Sequence, residues 1–425
     1  MKQTLERSFT KRCRWIWSFT NRQSDTVRYW LPQPIETSTQ GNITCHGVSS
    51  LLQSRSSFPH DLLWADVDPG DTITINYEID LYRLSWKGKS PSKEKETVNI
   101  LSPLSEKERD FYLRSTVMSP VNEDMRQKAK KLTAGAKTEW EKIQKIYTHI
   151  VSHMNYQYPP KQRGASFMSE TRRGDCGEFS LLFTSYCRSL GIPARTLFGA
   201  WANEAGPHAW NEVYYEPFGW LPVDTSIANN VKKLHNRLFL PFQMGVNGSP
   251  NRHIGESEGN RIAFSVDANL ELTPSFEEVK PPEDYPDFPF GVENFYYGFQ
   301  THDGTAPYLQ PGYIQFNQEP EKMKLPDILG NSNIQENGII GKLRLLKQSS
   351  FILFLLVLFT EIAARFIPLM TFPPYVLSAA GSFFLCLYVF ASLLRREGNR
   401  ILLSILILVV TFFFIDQLVL LTGET

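Results

Sequence analysis

Residues 172–195 read RRGDCGEFSLLFTSYCRSLGIPAR, and residues 208–226 read HAWNEVYYEPFGWLPVDTS. In the first stretch Asp175 stands where a helix N-cap would, and Gly191 with Pro193 behind it closes the helix. In the second, HAWNEVYYE and GWLPVD read as strands split by the turn Glu216–Pro217–Phe218–Gly219, with ARTLFGAW as a strand before them. Upstream, Trp140, Ile143, Tyr147, Ile150, Val151 and Met154 recur at helical spacing. Helices first and an antiparallel sheet after them make this region α+β.

A thiol attacks well only as thiolate, so a catalytic cysteine needs help in losing its proton. Cys176 opens the predicted helix, where unpaired N–H groups and the macrodipole favour negative charge, and Gly177 beside it leaves room for a substrate. Cys187 lies near the end of the same helix in an apolar stretch and is expected to be inert. The two are about three turns apart, too far to bridge. His208 opens one strand and Asp224 closes a later one across the turn. Antiparallel strands joined this way bring those ends side by side. His208 can then act as general base toward Cys176, with Asp224 holding the ring. The oxyanion hole would include the Cys176 N–H. Trp210 and Trp220 are expected to pack the sheet, and Glu178 and Glu212 to be structural partners, Arg195 among their candidates. His149 and His153 lie i, i+4 without a third ligand or the acidic residue of HExxH, so they read as a solvated or structural pair. His235, His253 and His302 lie in turn-rich polar stretches and suggest no partner.

Three blocks in order resemble the core of the transglutaminase-like superfamily: G-D-C-G-E with G-I-P-A-R after it, H-A-W-x-E-V, and G-W-x-P-x-D. The resemblance covers roughly residues 25–275 and is to bacterial, cysteine-protease-type members. It implies a papain-like core, a helix bearing Cys176 packed on an antiparallel sheet. It also implies Cys176 as nucleophile, His208 as base and Asp224 as orienter. One departure is D-T-S where D-P-T is common; it leaves the aspartate in place. Members form a thioester from an amide, which water resolves to hydrolysis and an amine to cross-linking. The resemblance calls for no metal and no cofactor. The expected partner is a protein or peptide substrate. The ranking is a peptidase or amidase first, a cross-linking acyltransferase second, and a non-catalytic membrane scaffold third.

Outward from this core, residues 1–24 read as an N-terminal tail, basic and aromatic from Lys11 to Trp17, and 25–105 as a β-rich domain. In Asp71 to Leu84, Ile73, Ile75, Tyr77, Ile79 and Leu81 fall on one strand face. The core domain spans 106–275, with RIAFSVDANLELTP (261–274) as a last β segment. Residues 276–340 form a Pro- and aromatic-rich linker, whose stretch 281–326 is expected to dock by its Tyr and Phe side chains rather than to run free. Residues 341–425 are a transmembrane region with about three helices, 350–368, 374–394 and 401–421; the second and third are long enough for a hydrocarbon core roughly 30 Å thick, while Glu361 and Arg365 interrupt the first, which leaves two spans as the alternative. Glu361 and Arg365 could pair within the first, and Asp416 is expected near an interface. Lys342, Arg344 and Lys347 precede the first span, and Arg395, Arg396 and Arg400 lie between the second and third. With three spans both clusters share one side, which the positive-inside rule makes cytoplasmic. The chain is thus expected in the inner or cytoplasmic membrane, its catalytic domain facing the cytoplasm, with no secretory signal and an accidental sequon at Asn42.

Lys+Arg and Asp+Glu balance at 44 each, so no net field draws a nucleic acid. Five cysteines without paired spacing make no disulfide framework, and no CxxC pair suggests zinc.

Overall fold

The computed structural model describes residues 4–56, 58–87, 103–202, 206–216, 218–275, 305–306, 309–316, 330–364, 366, 374–395, 397 and 400–422. Its contacts divide into two compact units, Met1–Lys233 with Ser249–Gln335, and Leu234–Gly248 with Glu336–Thr425.

The first unit begins with a strand. Thr4–Thr20 runs 17 residues and pairs antiparallel with Thr72–Lys87, Trp15 opposite Tyr77 and Trp17 opposite Ile75. The sequence reading made these residues a tail; the structure corrects it. Cys13, Trp15, Trp17 and Phe19 alternate into the core, while Arg12 on the other face donates to Glu78 at 2.7 Å and to Asp80 at 2.9 Å. Arg12 and Arg14 therefore lie on the outer face of a strand whose neutralising acids are on its partner, while Lys11 is buried on the same face as Cys13. Ile73, Ile75, Tyr77, Ile79 and Leu81 are buried, as their alternation predicts.

Two four-stranded antiparallel sheets make up this strand-rich part. One has the order Asn331–Glu336, Thr4–Thr20, Thr72–Lys87, Gln40–Val48; the other Tyr313–Phe316, Val27–Pro32, Leu62–Val67, Gln53–Arg55. They share one core, in which Trp15, Trp17 and Phe19 meet Tyr29, Leu31 and Ile314. Most of 281–326 lies outside the described residues, as do Arg365, Arg396 and His302. Within that stretch, Tyr313–Phe316 pairs with Val27–Trp30, and Tyr313 and Ile314 are buried.

The rest of this unit mixes helices and strands. Strands Gly219–Val223, Pro207–Tyr215, Ala194–Trp201 and Arg261–Val266 form an antiparallel sheet in that order. The helix Cys176–Ser189 packs on it, nearly every side chain buried, with Phe179, Leu182 and Phe183 at the centre of the core. Glu139–His153 covers that helix through Ile143, Ile146, Tyr147 and Ile150. Phe264 leaves this sheet to stack on Trp15 with ring centroids 4.0 Å apart. The strand that carries it is thereby held by the N-terminal core as well as by its own sheet.

In the second unit, three helices are long and apolar enough to cross a membrane: Gly338–Ala364, Pro374–Leu394 and Arg400–Thr422. The first begins at Gly338, well before residue 350. Lys347, within its first turns, is paired: Nζ reaches Glu397 at 2.5 Å. Arg395 joins the same cluster, with Glu336 at 2.8 Å and Glu397 at 2.7 Å.

Candidate active site

Cys176 owes its position to a capped helix start. Asp175 is the N-cap; its Oδ1 accepts from the Gly177 N–H at 2.7 Å, while Glu178 Oε2 accepts from the Asp175 N–H at 3.2 Å. Arg163 ties the two acids together, Nη1 lying 2.8 Å from Asp175 Oδ2 and 3.0 Å from Glu178 Oε2. The sequence reading gave Glu178 a structural role without this arginine, which lies in an earlier loop. Burial, with the Asp175 carboxylate adding and Arg163 opposing, pushes the Glu178 carboxyl up to about 8.

The sulfur of Cys176 sits under the start of the next strand but one, where the Ala209 backbone N–H donates toward it. Burial, reinforced by Asp175, raises this thiol well above its ordinary value; the Ala209 N–H and Arg163 act the other way and do not compensate. A helix N-terminus alone therefore does not give Cys176 a stable thiolate here.

His208, the residue before Ala209, is 4% exposed. His208 Nε2 and Asp224 Oδ2 are 2.8 Å apart, so Nδ1 is left for other work. The sheet register explains the meeting. Asn211 pairs with Val223, which sets Asp224 beside the first residues of the His208 strand. Asp224 also caps the helix Thr225–Asn230: its Oδ1 accepts from the Ile227 N–H and from Ser226 Oγ, each at 3.0 Å. Burial acts to raise the Asp224 carboxyl, but His208 and Arg261 outweigh it and hold the group well below the carboxylate range. The Trp201 indole stacks on the His208 ring at 4.5 Å, and Trp210 follows at 5.8 Å.

Of the three residues named from the sequence, His208 and Asp224 are in direct contact, and Cys176 faces the backbone of Ala209, the residue after His208. Trp210 and Trp220 are buried in the sheet, and Arg195 holds Glu212, with Nη2 at 2.6 Å and Nε at 2.9 Å. Cys187 is fully buried in the core, and burial raises its thiol. His253 has a partner the sequence did not suggest: its carbonyl accepts from the Asp224 N–H at 2.8 Å, and its Nδ1 lies 3.7 Å from Glu258. His149 and His153 stack on each other at 4.6 Å, and no cluster of three His, Cys, Asp or Glu side chains suited to a metal ion occurs among the described residues. Two residues of the site escaped the sequence reading, Trp201 and Arg261. The signal available for Arg261 was a charged residue opening an otherwise apolar strand.

Residues 126–225 match the family model described as the transglutaminase-like superfamily. A peptide-N(4)-(N-acetyl-beta-glucosaminyl)asparagine amidase of Yarrowia lipolytica is 40% identical over 57 residues, 13% of this chain and 15% of that protein. Its counterpart from Oryza sativa subsp. japonica is 35% identical over 66 residues, 15% of this chain and 14% of that protein. The match spans about one seventh of the length of these curated relatives. Among solved structures, a candidate cysteine protease from Cytophaga hutchinsonii aligns at TM-score 0.42 and 16% identity, over 62% of this chain and 83% of that one. The periplasmic domain of TgpA from Pseudomonas aeruginosa aligns at 0.30 and 14%, over 51% and 88%. Both superpositions are loose, so the assignment rests on the sequence match. Residues 126–225 are a transglutaminase-like core, preceded in this chain by a strand-rich part and followed by three apolar helices.

Proposed function

We propose that the chain is a membrane-anchored cysteine amidase or peptidase that forms a thioester from a protein or peptide amide at Cys176. The observation that carries this reading is the 2.8 Å His208–Asp224 pair, together with a helix-N-terminal cysteine whose sulfur faces the N–H of Ala209, the residue after His208. His208 Nδ1 takes the Cys176 proton, and the resulting imidazolium, held by Asp224, supplies the cation that the buried thiolate needs. The thiolate attacks the amide carbonyl. The oxyanion is met by the Cys176 N–H, one of the first-turn donors without an intrahelical partner. The amide nitrogen leaves with the proton from His208, which leaves a thioester. Water then attacks, His208 takes its proton, and the acid product departs as the thiol is restored. The two curated relatives that the chain matches in part are named amidases, which favours water over an amine as the acceptor.

The membrane anchor is the three apolar helices, whose large side chains face outward, among them Phe359, Leu408 and Phe412. Lys347 and Arg395 lie in one ionic cluster, which fits both basic clusters on one side and, by the positive-inside rule, a cytoplasmic catalytic domain in the inner membrane.

The test uses the full chain in detergent with glutamine-containing peptides. Ammonia release without incorporation of a fluorescent primary amine, lost in Cys176→Ala, is the expected result. Amine incorporation would make the protein a cross-linker with the same site. Turnover unchanged by Cys176→Ala would end the reading.

A further inference from the structure

Arg261 is a buried charge for which the steps above have no use. It opens the strand Arg261–Val266 and is 4% exposed. Its Nη2 donates to Asp224 Oδ2 at 2.9 Å, the same oxygen that meets His208 Nε2 at 2.8 Å. Its Nη1 donates to Glu258 Oε2 at 2.9 Å and lies 3.4 Å from Asn260 Oδ1. The guanidinium carbon lies 4.5 Å over the Trp201 ring, the indole that stacks on His208. A buried arginine can be wholly structural, and this fold has one: Arg188 binds Asp267 at 2.7 Å with no link to a reacting group. Arg261 differs in the atom it binds.

We propose that Arg261 is a positioning residue of the candidate active site: by sharing Asp224 Oδ2 with His208 it fixes the orienting carboxylate and sets the pH range in which Cys176 and His208 exist as thiolate and imidazolium. The proposal rests on the reading of Cys176 as nucleophile. A fixed cation on Asp224 offsets part of the field that carboxylate exerts on His208. By neutralising Asp224 it also lowers the negative field that the carboxylate exerts on the thiolate. Removing it strengthens the hold of Asp224 on the imidazolium and leaves the thiolate less stabilised. Both effects move the window of the ion pair to higher pH. Other ionisable groups face the couple. Glu258, His253 and Tyr147 stand on the Asp224 side; Asp175, Arg163, Glu178 and Tyr156 stand on the Cys176 side. All of these remain when Arg261 is replaced, so the change in charge is its own.

The experiment follows alkylation of Cys176 by iodoacetamide across pH, read peptide by peptide in the full detergent-solubilised chain. Arg261→Lys keeps the charge and should track the wild type. Arg261→Met should move the profile upward by roughly one pH unit. An Arg261→Met profile that overlays the wild type, while His208→Ala abolishes labelling at low pH, would overturn the proposal and leave the nucleophile reading standing. A wild-type profile of an ordinary thiol would instead overturn that reading, and the proposal with it. Should Arg261→Met fail to fold, Arg261→Gln combined with Glu258→Gln removes both charges of the ion pair. A smaller upward shift is expected there, and none would again count against the proposal.

Discussion

Asp224 accepts from Ile227 and Ser226 on one oxygen and meets His208 and Arg261 on the other, which leaves its carboxylate little freedom to turn. Cys176, His208 and Asp224 were legible in the sequence because each stands in a short motif beside a recognisable helix start, strand start or strand end. Arg261 was not, since its partner lies 37 residues away and only the closed sheet brings them together. His60 gives a second prediction at this scale. Burial pushes its ring down to about 4 from an ordinary value near 6.5, against weaker help from the backbone of His60 and Asp61. Between those two values the unfolded chain binds the proton and the folded one does not, so stability is complete above pH ~6.5 and falls toward pH ~4. The loss should reach up to about 3 kcal/mol in wild type and be smaller in His60→Gln. Urea unfolding of the first unit at pH 7 and pH 4.5 measures it, and equal losses in the two proteins would refute it.

Gly199 lies in the strand Ala194–Trp201, opposite His208 on one side and Ala263 on the other. A Cβ there would come 1.8 Å from the Ile262 carbonyl oxygen. The central strand and the Arg261 strand can approach only because this residue is glycine. Gly199→Ala should force them apart and cost about 1–3 kcal/mol. Because Arg261 rides on the displaced strand, low-pH alkylation of Cys176 should weaken as well. A thermal midpoint and a labelling profile matching wild type would show that the sheet absorbs the methyl group. The helix Cys176–Ser189 and the strands around His208 could be read from capping residues and alternation. The strand Thr4–Thr20 could not, since Lys11, Arg12 and Arg14 read as a solvated tail until Glu78 and Asp80 on the partner strand are beside them. Where the first apolar helix begins was hidden for a similar reason: Lys347 finds Glu397 50 residues on.

For the whole molecule, the sequence carries the membrane claim in plain view: three apolar runs, with charge at their flanks. It does not carry the orientation beyond the charge rule. Cys45 is exposed on the strand-rich part and reports on this directly. With a cytoplasmic catalytic domain, a membrane-impermeant maleimide should label Cys45 only after the cells are opened. Labelling in intact spheroplasts would place that part on the outer side and change the substrates within reach, though not the chemistry.

The account turns on one claim, that Cys176 becomes a nucleophile only through His208. Its thiol is raised by burial, so without an imidazolium it should react more slowly than a free cysteine, whose pKa is about 8.5. The most direct measurement is the rate of Cys176 alkylation against pH in wild type and in His208→Ala. The account predicts wild-type labelling that persists well below pH ~8, and a variant that labels only at pH above that of an ordinary thiol. Two coincident profiles, both those of an ordinary cysteine, would contradict it.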